Sequence, residues 1–300
     1  MTEKVLEIKH LSKNFGKFQA LKDITFELNA GEVLGFIGPN GAGKSTTIRT
    51  ILGLLKASGG SAKAFGLDVW NDSVKIHHKL AYVPGDVYLW PNLTGGEVID
   101  LLLKLGGQKH TARTDELIKR FELDPSKKSR TYSKGNRQKV AIIAALSTDA
   151  DLYIFDEPTS GLDPLQEVIF QQEVLQLKEK GKSVLLSSHI LSEVEKMCDR
   201  VAIIRSGSII EEGTLDSMRQ FTRVQITVTT KNALGTIKES AGVHAFEAKS
   251  DTSATMQVES DHLEHVMADL SGFGILALQS TPPTLEDLFM HYYEESGTDR

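Results

Sequence analysis

A chain of 300 residues has room for two domains and a sizeable core. Its net charge of −6 lacks the basic excess of a general nucleic-acid binder, and its one cysteine, Cys198, excludes an intrachain disulfide and favours a reducing compartment. No stretch approaches the roughly 20 apolar residues that span a bilayer, and MTEKVLEIKH lacks the apolar run of a secretory signal, so the expectation is an intracellular protein that reaches a membrane only through a partner.

From the N-terminus, VLEIKHL and ITFELN read as strands, and EVLGFIG as a third. GPNGAGKST follows at residues 38–46, ahead of the helical run TTIRTILGLL. The pattern G-x-x-x-x-G-K-[ST] falls on Gly38, Gly43, Lys44 and Ser45. Glycines let the backbone wrap closely and aim N–H groups at phosphate oxygens, and the helix start adds partial positive charge. A lysine here bridges the β- and γ-phosphates, and the serine hydroxyl holds Mg²⁺. The expected cradle for ATP runs through Gly38, Pro39, Asn40, Gly41, Ala42, Gly43, Lys44, Ser45 and Thr46.

LAYVPG is the next strand, followed by the helix GGEVIDLLLKLG and then by VAIIAALS. DLYIFDEP ends an apolar strand in two acids. In a doubly wound α/β sheet ligands sit beyond such strand ends, so Asp156 is expected in the Mg²⁺ shell and Glu157 as general base toward the attacking water. LQEVIFQQEVLQLKEKG is a helix stopped by Gly181, and SVLLSSH carries His189 to the same edge, where it would meet the γ-phosphate. His77, His78, His244, His262, His265 and His291 have no such company and read as solvated or structural. RVAIIRSG begins a hairpin that continues through SIIEEGT.

Beyond about residue 220 the pattern becomes βαββαβ, a ferredoxin-like α+β unit over residues 221–300, with NALGTIKES as its first helix and DHLEHVMADL as its second. PPTLEDLFMHYYEES closes the chain as a helix capped by Thr284, with Leu285, Leu288, Phe289 and Tyr292 on one face.

Three further segments, TYSKGNRQKVAIIAAL, SGLD and SSHIL, stand in order with the cradle and the carboxylate strand. Together they resemble the signature motif, the D-loop and the switch histidine of ATP-binding-cassette (ABC) ATPases. The resemblance spans roughly residues 3–215 and implies an ABC-type nucleotide-binding domain over residues 1–220. That domain would have a mixed sheet core, an antiparallel β part and a helical subdomain. It implies a nucleotide site shared by two protomers, one giving Lys44, Glu157 and His189, the other capping the γ-phosphate with Ser133, Gly135 and Asn136. A serine hydroxyl and N–H groups at a helix start suit that task. It implies that Phe15 stacks on adenine, although a place in the core would also explain that ring. The implied partners are a second nucleotide-binding subunit, taken as another copy of this chain, and a separate membrane-spanning permease, with no nucleic acid. The implied location is cytoplasmic, peripheral on the inner face of the cell membrane. The single cassette with its C-terminal extension is similar to those of bacterial drug exporters. The rival readings are a soluble non-transport ABC ATPase and a catalytically weak nucleotide-binding regulator.

The sequence departs from the family pattern at two places. Lys134 replaces the first signature glycine and Asn136 the glutamine. After YVP the family has Gln or Glu, and here Gly85 and Asp86 stand instead. Asp86 is either a replacement in the metal shell or a turn residue. Tyr88, Leu89 and Trp90 are either the docking surface for the membrane partner or a local core.

Overall fold

The chain divides into two compact units after Gly213, and the computed structural model describes residues 3–219 and 223–281. In the first unit β1 (Lys4–Phe15) and β2 (Phe18–Asn29) form a hairpin that buries Leu6, Ile8, Leu21, Ile24 and Leu28. Each such side chain taken fully out of water stabilises by about 1.5–3 kcal/mol. β3 (Val33–Ile37) is buried at every position, as a strand covered on both faces must be. α1 (Lys44–Ile51) starts from its tip, and β4 (Gly59–Ala64), β5 (Leu67–Asp68), α2 (Ser73–His77) and β6 (Leu80–Val83) follow.

A helical segment comes next, made of α3 (Gly95–Leu105), α4 (Ala112–Arg120) and α5 (Lys134–Leu146). α3 begins in a capping box, where Thr94 Oγ1 accepts from the Glu97 N–H at 3.1 Å and Glu97 accepts from the Thr94 N–H at 2.6 Å. α4 is fastened to α6 (Pro164–Glu179) because Arg113 and Arg120 both grip Glu173, which is 1% exposed. The remaining elements of this unit are β7 (Leu152–Asp156), β8 (Ser183–Ser188), α7 (Leu191–Met197), β9 (Arg200–Arg205) and β10 (Ser208–Thr214).

The ten strands run in the order β5-β4-β1-β2-β10-β9-β3-β8-β7-β6. β9, β3, β8, β7 and β6 pair in parallel, whereas β2, β1, β4 and β5 pair antiparallel. The parallel register sets Ile37 beside Ser188, Ser187 beside Asp156, and Phe155 beside Val83. Four consecutive strand ends therefore deliver their following loops to one edge. This is the mixed-sheet α/β class that the sequence implies.

The second unit contains α8 (Leu215–Arg219), β11 (Val224–Thr230), β12 (Val243–Ser250), β13 (Ser253–Val258), α9 (Leu263–Gly272) and β14 (Ile275–Thr281). Its sheet runs β12-β13-β11-β14 with every neighbour antiparallel, the ferredoxin-like order. Ile226, Val228, Met256, Val258, Val266 and Leu270 form its core. The helix expected over NALGTIKES is only a 3-10 turn, Ile237–Glu239. Upstream of the turn, the amides of Lys231, Asn232 and Leu234 donate to Gly274, Phe273 and Asp251, so they do not enter a helical ladder. The terminal helix expected over PPTLEDLFMHYYEES, with His291 in it, lies outside the described residues. Among the described residues, no helix is long and apolar enough to cross a membrane.

Candidate active site

The loop after β3 forms the cradle. Gly41 and Gly43 have φ of 81° and 116°, a region closed to most side chains, and Gly43 is the N-cap of α1. Lys44 is 4% exposed, and its ammonium donates to the carbonyls of Gly38 at 2.6 Å and Pro39 at 3.3 Å. It also stands 3.3 Å from Glu157 Oε1. Ser45 and Thr46 lie half-buried in the first turn of α1. A cleft of about 310 Å³ opens here, lined by Pro39, Asn40, Gly41, Lys44, Thr46 and Glu157 among others. A larger cleft of about 670 Å³, lined by Thr148, Tyr153 and Lys182, sits at the opposite, N-terminal ends of β7 and β8. None of the cradle or carboxylate residues reaches it.

Asp156 ends β7 buried, and Ser187 Oγ donates to its Oδ1 at 2.5 Å. The same serine anchors the next residue, because the Glu157 N–H reaches both Ser187 O at 3.0 Å and Ser187 Oγ at 3.2 Å. Glu157 has φ of 49°, a conformation that costs a non-glycine residue about 1 kcal/mol or more. The strained backbone points its carboxylate at the cradle, where Lys44 takes one oxygen and His189 Nδ1 lies 3.4 Å from the other. Burial first, and then the Asp156 charge, push the Tyr82 phenol up to about 12. Burial also raises the Glu193 carboxyl, which accepts from Thr159 at 2.9 Å behind the carboxylate strand.

The structure therefore joins the cradle, Asp156, Glu157 and His189 at one sheet edge. It leaves Ser133, Gly135 and Asn136 outside this cleft. Ser133 is exposed and caps α5, its Oγ accepting from the Asn136 N–H at 3.2 Å. Gly135 lies against the loop after β7, where an added Cβ would meet Gly161 O at 2.3 Å. Phe15 is 47% exposed at the hairpin tip, and the ring lining the cleft is its cross-strand neighbour Phe18.

Gly85 abuts the carboxylates. A Cβ there would sit 3.1 Å from Asp156 O and 3.8 Å from Glu157 Cβ. Its φ is not left-handed, so backbone geometry does not demand glycine. Asp86 is exposed, and among the described residues no hydrogen bond or ion pair ties it to the cluster. Buried Gln138 on α5 holds this loop by donating to Pro84 O at 3.3 Å. Sequence reasoning missed Ser187, Phe18 and Gln138. Only the serine pair before His189, at a strand tip facing an acid, offered a signal.

The pattern of the family described as ABC transporter matches residues 21–160, and that of the ATP-binding protein DrrA1-3-like C-terminal domain matches residues 213–293. The linearmycin resistance ATP-binding protein LnrL of Bacillus subtilis is 34% identical over 96% of this chain and 97% of its own. The daunorubicin resistance ATP-binding protein DrrA3 of Streptomyces coeruleorubidus is 30% identical over 100% of this chain and 98% of its own. Among solved structures, the dimeric post-hydrolysis state of the ATP-binding cassette MJ0796 bound to ADP and Pi superposes with a TM-score of 0.64 at 26% identity, covering 70% of this chain and 98% of that one.

Proposed function

The chain belongs to the ATP-binding proteins of ABC transporters, subunits that bind and hydrolyse ATP, and from that premise we propose that two copies close head to tail around Mg-ATP to drive a separate membrane-spanning exporter. One observation carries the shared site. The cradle, Asp156, Glu157 and His189 converge, while the signature serine of the same chain is exposed elsewhere and free to serve a second copy. The ATP-binding cassette MJ0796, dimeric with ADP and Pi bound, supports an assembly of two copies. The names of LnrL and DrrA3, both drug-resistance ATP-binding proteins, support export.

The donor set suits a hard cation. Mg²⁺ is held by few protein oxygens plus phosphates, and the Ser45 hydroxyl and the buried Asp156 carboxylate would supply those oxygens. Asp86 is available to its water shell from the neighbouring loop. Bound with ATP, the ion supplies Lewis-acid stabilisation of phosphate charge. Lys44 leaves the Gly38 and Pro39 carbonyls for the β- and γ-phosphates, and the cradle N–H groups orient them. Glu157 accepts the proton of the attacking water at its carboxylate, and His189 fixes that carboxylate from the far side. Phe15, half-exposed at the hairpin tip beside the cleft-lining Phe18, swings onto the base when ATP binds. Tyr88, 90% exposed, and Trp90, 48% exposed, form the docking surface for the membrane subunit together with Leu89.

Tagged chain recovered from its own cell membranes in mild detergent tests the partner. A multi-span membrane protein is expected in stoichiometric amount, lost on Tyr88→Ala with Trp90→Ala. Recovery with ribosomes or DNA, and no membrane protein, would refute the reading.

A further inference from the structure

The lysine that interrupts the signature is engaged inside its own chain. Lys134 Nζ donates to Ser160 Oγ at 2.7 Å. Its methylenes lie over Gly161, where an added Cβ would stand 3.4 Å from Cγ and Cδ. Gly161 has φ of 89°, and its carbonyl presses on Gly135 so closely that no side chain fits at 135. The start of α5 and the turn after β7 are thus packed backbone to backbone, with the lysine laid across the joint.

That turn continues directly from the carboxylate strand. The Ser160 N–H donates to Glu157 O at 3.2 Å, and the Leu162 N–H to Thr159 O at 2.9 Å. A hydrogen-bonded path therefore runs from the Lys134 ammonium through Ser160 to the strained backbone of Glu157. A glycine at 134 could form no such path.

We propose that Lys134 is a positioning residue that clamps the Thr159–Gly161 turn and so holds Glu157 in place, rather than a phosphate ligand. This rests on the assignment of Glu157 as general base only for its effect on turnover, because the clamp itself exists in the nucleotide-free chain. The ammonium's bond to a hydroxyl is charge-assisted, and the half-buried Ser160 has no other side-chain partner among the described hydrogen bonds.

Hydrogen exchange of the nucleotide-free full chain tests the clamp directly. In Lys134→Met the Ser160 and Leu162 amides exchange about fivefold faster, Ser160→Ala gives the same change, and the double variant adds nothing beyond either. Lys134→Arg, which keeps a charged donor, retains most of the protection. In Mg-ATP turnover, Lys134→Met and Ser160→Ala each lower kcat by about fivefold with KM unchanged. Unchanged exchange in both single variants overturns the proposal. So does a raised KM at constant kcat in Lys134→Met with a silent Ser160→Ala, which would make the lysine a phosphate ligand. If exchange responds as stated but Glu157→Gln turns over ATP at the native rate, the clamp stands and the assignment of Glu157 falls.

Discussion

Replacing Ser187 by alanine isolates one bond behind the active site. The side chain is fully buried, and its hydroxyl donates to Asp156 Oδ1 at 2.5 Å. The Glu157 N–H keeps its main-chain acceptor, Ser187 O at 3.0 Å, so the variant leaves no orphaned amide at that point. What is lost is a hydrogen bond to a buried carboxylate, worth about 1.5–3 kcal/mol. If that energy holds Asp156 in the orientation a cation needs, the Mg²⁺ concentration giving half-maximal turnover rises by about 10–100-fold, the range typical when a ligand loses its supporting partner. Binding of a fluorescent ATP analogue in EDTA changes by less than about twofold, because Lys44 and the cradle N–H groups are untouched. Titrating Mg²⁺ against turnover, with Asp156→Asn as the reference for complete loss, measures the effect. A Ser187→Ala protein that folds normally and keeps its native Mg²⁺ dependence refutes the argument, since Asp156 would then need no such support.

Three other outcomes follow from specific contacts. Glu173→Ala leaves Arg113 and Arg120 facing each other without their shared carboxylate; both are about a quarter exposed and retain Glu116 and Gln172, so the cost is about 2 kcal/mol and calorimetry should give a melting temperature about 4–8 °C lower. His110 places Nδ1 2.6 Å from Asp100 and Nε2 3.1 Å from Asp115, and the Asp100 hydrogen bond leads in holding its imidazolium above the usual histidine range. That stabilisation is complete below the unfolded value and lost as pH rises through the raised one; His110→Gln should therefore lower the melting temperature by up to about 3 °C near pH 5.5 and by clearly less near pH 9, the small size reflecting solvent and salt screening. Gly85→Gln, at a position facing Asp156 and Glu157, should raise turnover about tenfold over Gly85→Ala, and equal rates would show that this loop needs no metal-facing group.

Much of the site was legible because its parts occupy strand ends. An apolar run followed by GPNGAGKST, by DEP or by SSH gives both the element and its exit, and parallel pairing then gathers those exits on one edge. The hairpin RSGSIIEEGT was equally plain, with Ser206 and Gly207 both at positive φ in the two-residue turn between β9 and β10. Elements without a long apolar period were not read. β4 is built from Gly, Ser, Ala and Lys, the edge strand β5 is only Leu67 and Asp68, and α2 and α7 are too short to show a helical period. α4 carried a readable signal that went unused, with Thr111 before the helix, Asp115 in its first turn and Lys119 and Arg120 in its last. Contacts between distant segments were out of reach. Nothing local in YSKGN or SGLD says that Lys134 meets Ser160, or that Gly135 has no room for a side chain.

In the proposed function this chain hydrolyses ATP only when two copies complete each other's sites, with Glu157 as the base. Mg-ATP turnover per chain, followed across a wide range of protein concentration beside Glu157→Gln, tests it most directly. Turnover per chain should climb with concentration to a plateau, and should fall by about 10²–10⁴-fold in Glu157→Gln at every concentration. Turnover per chain that is already maximal and flat in dilute protein, or that survives in Glu157→Gln, would contradict it.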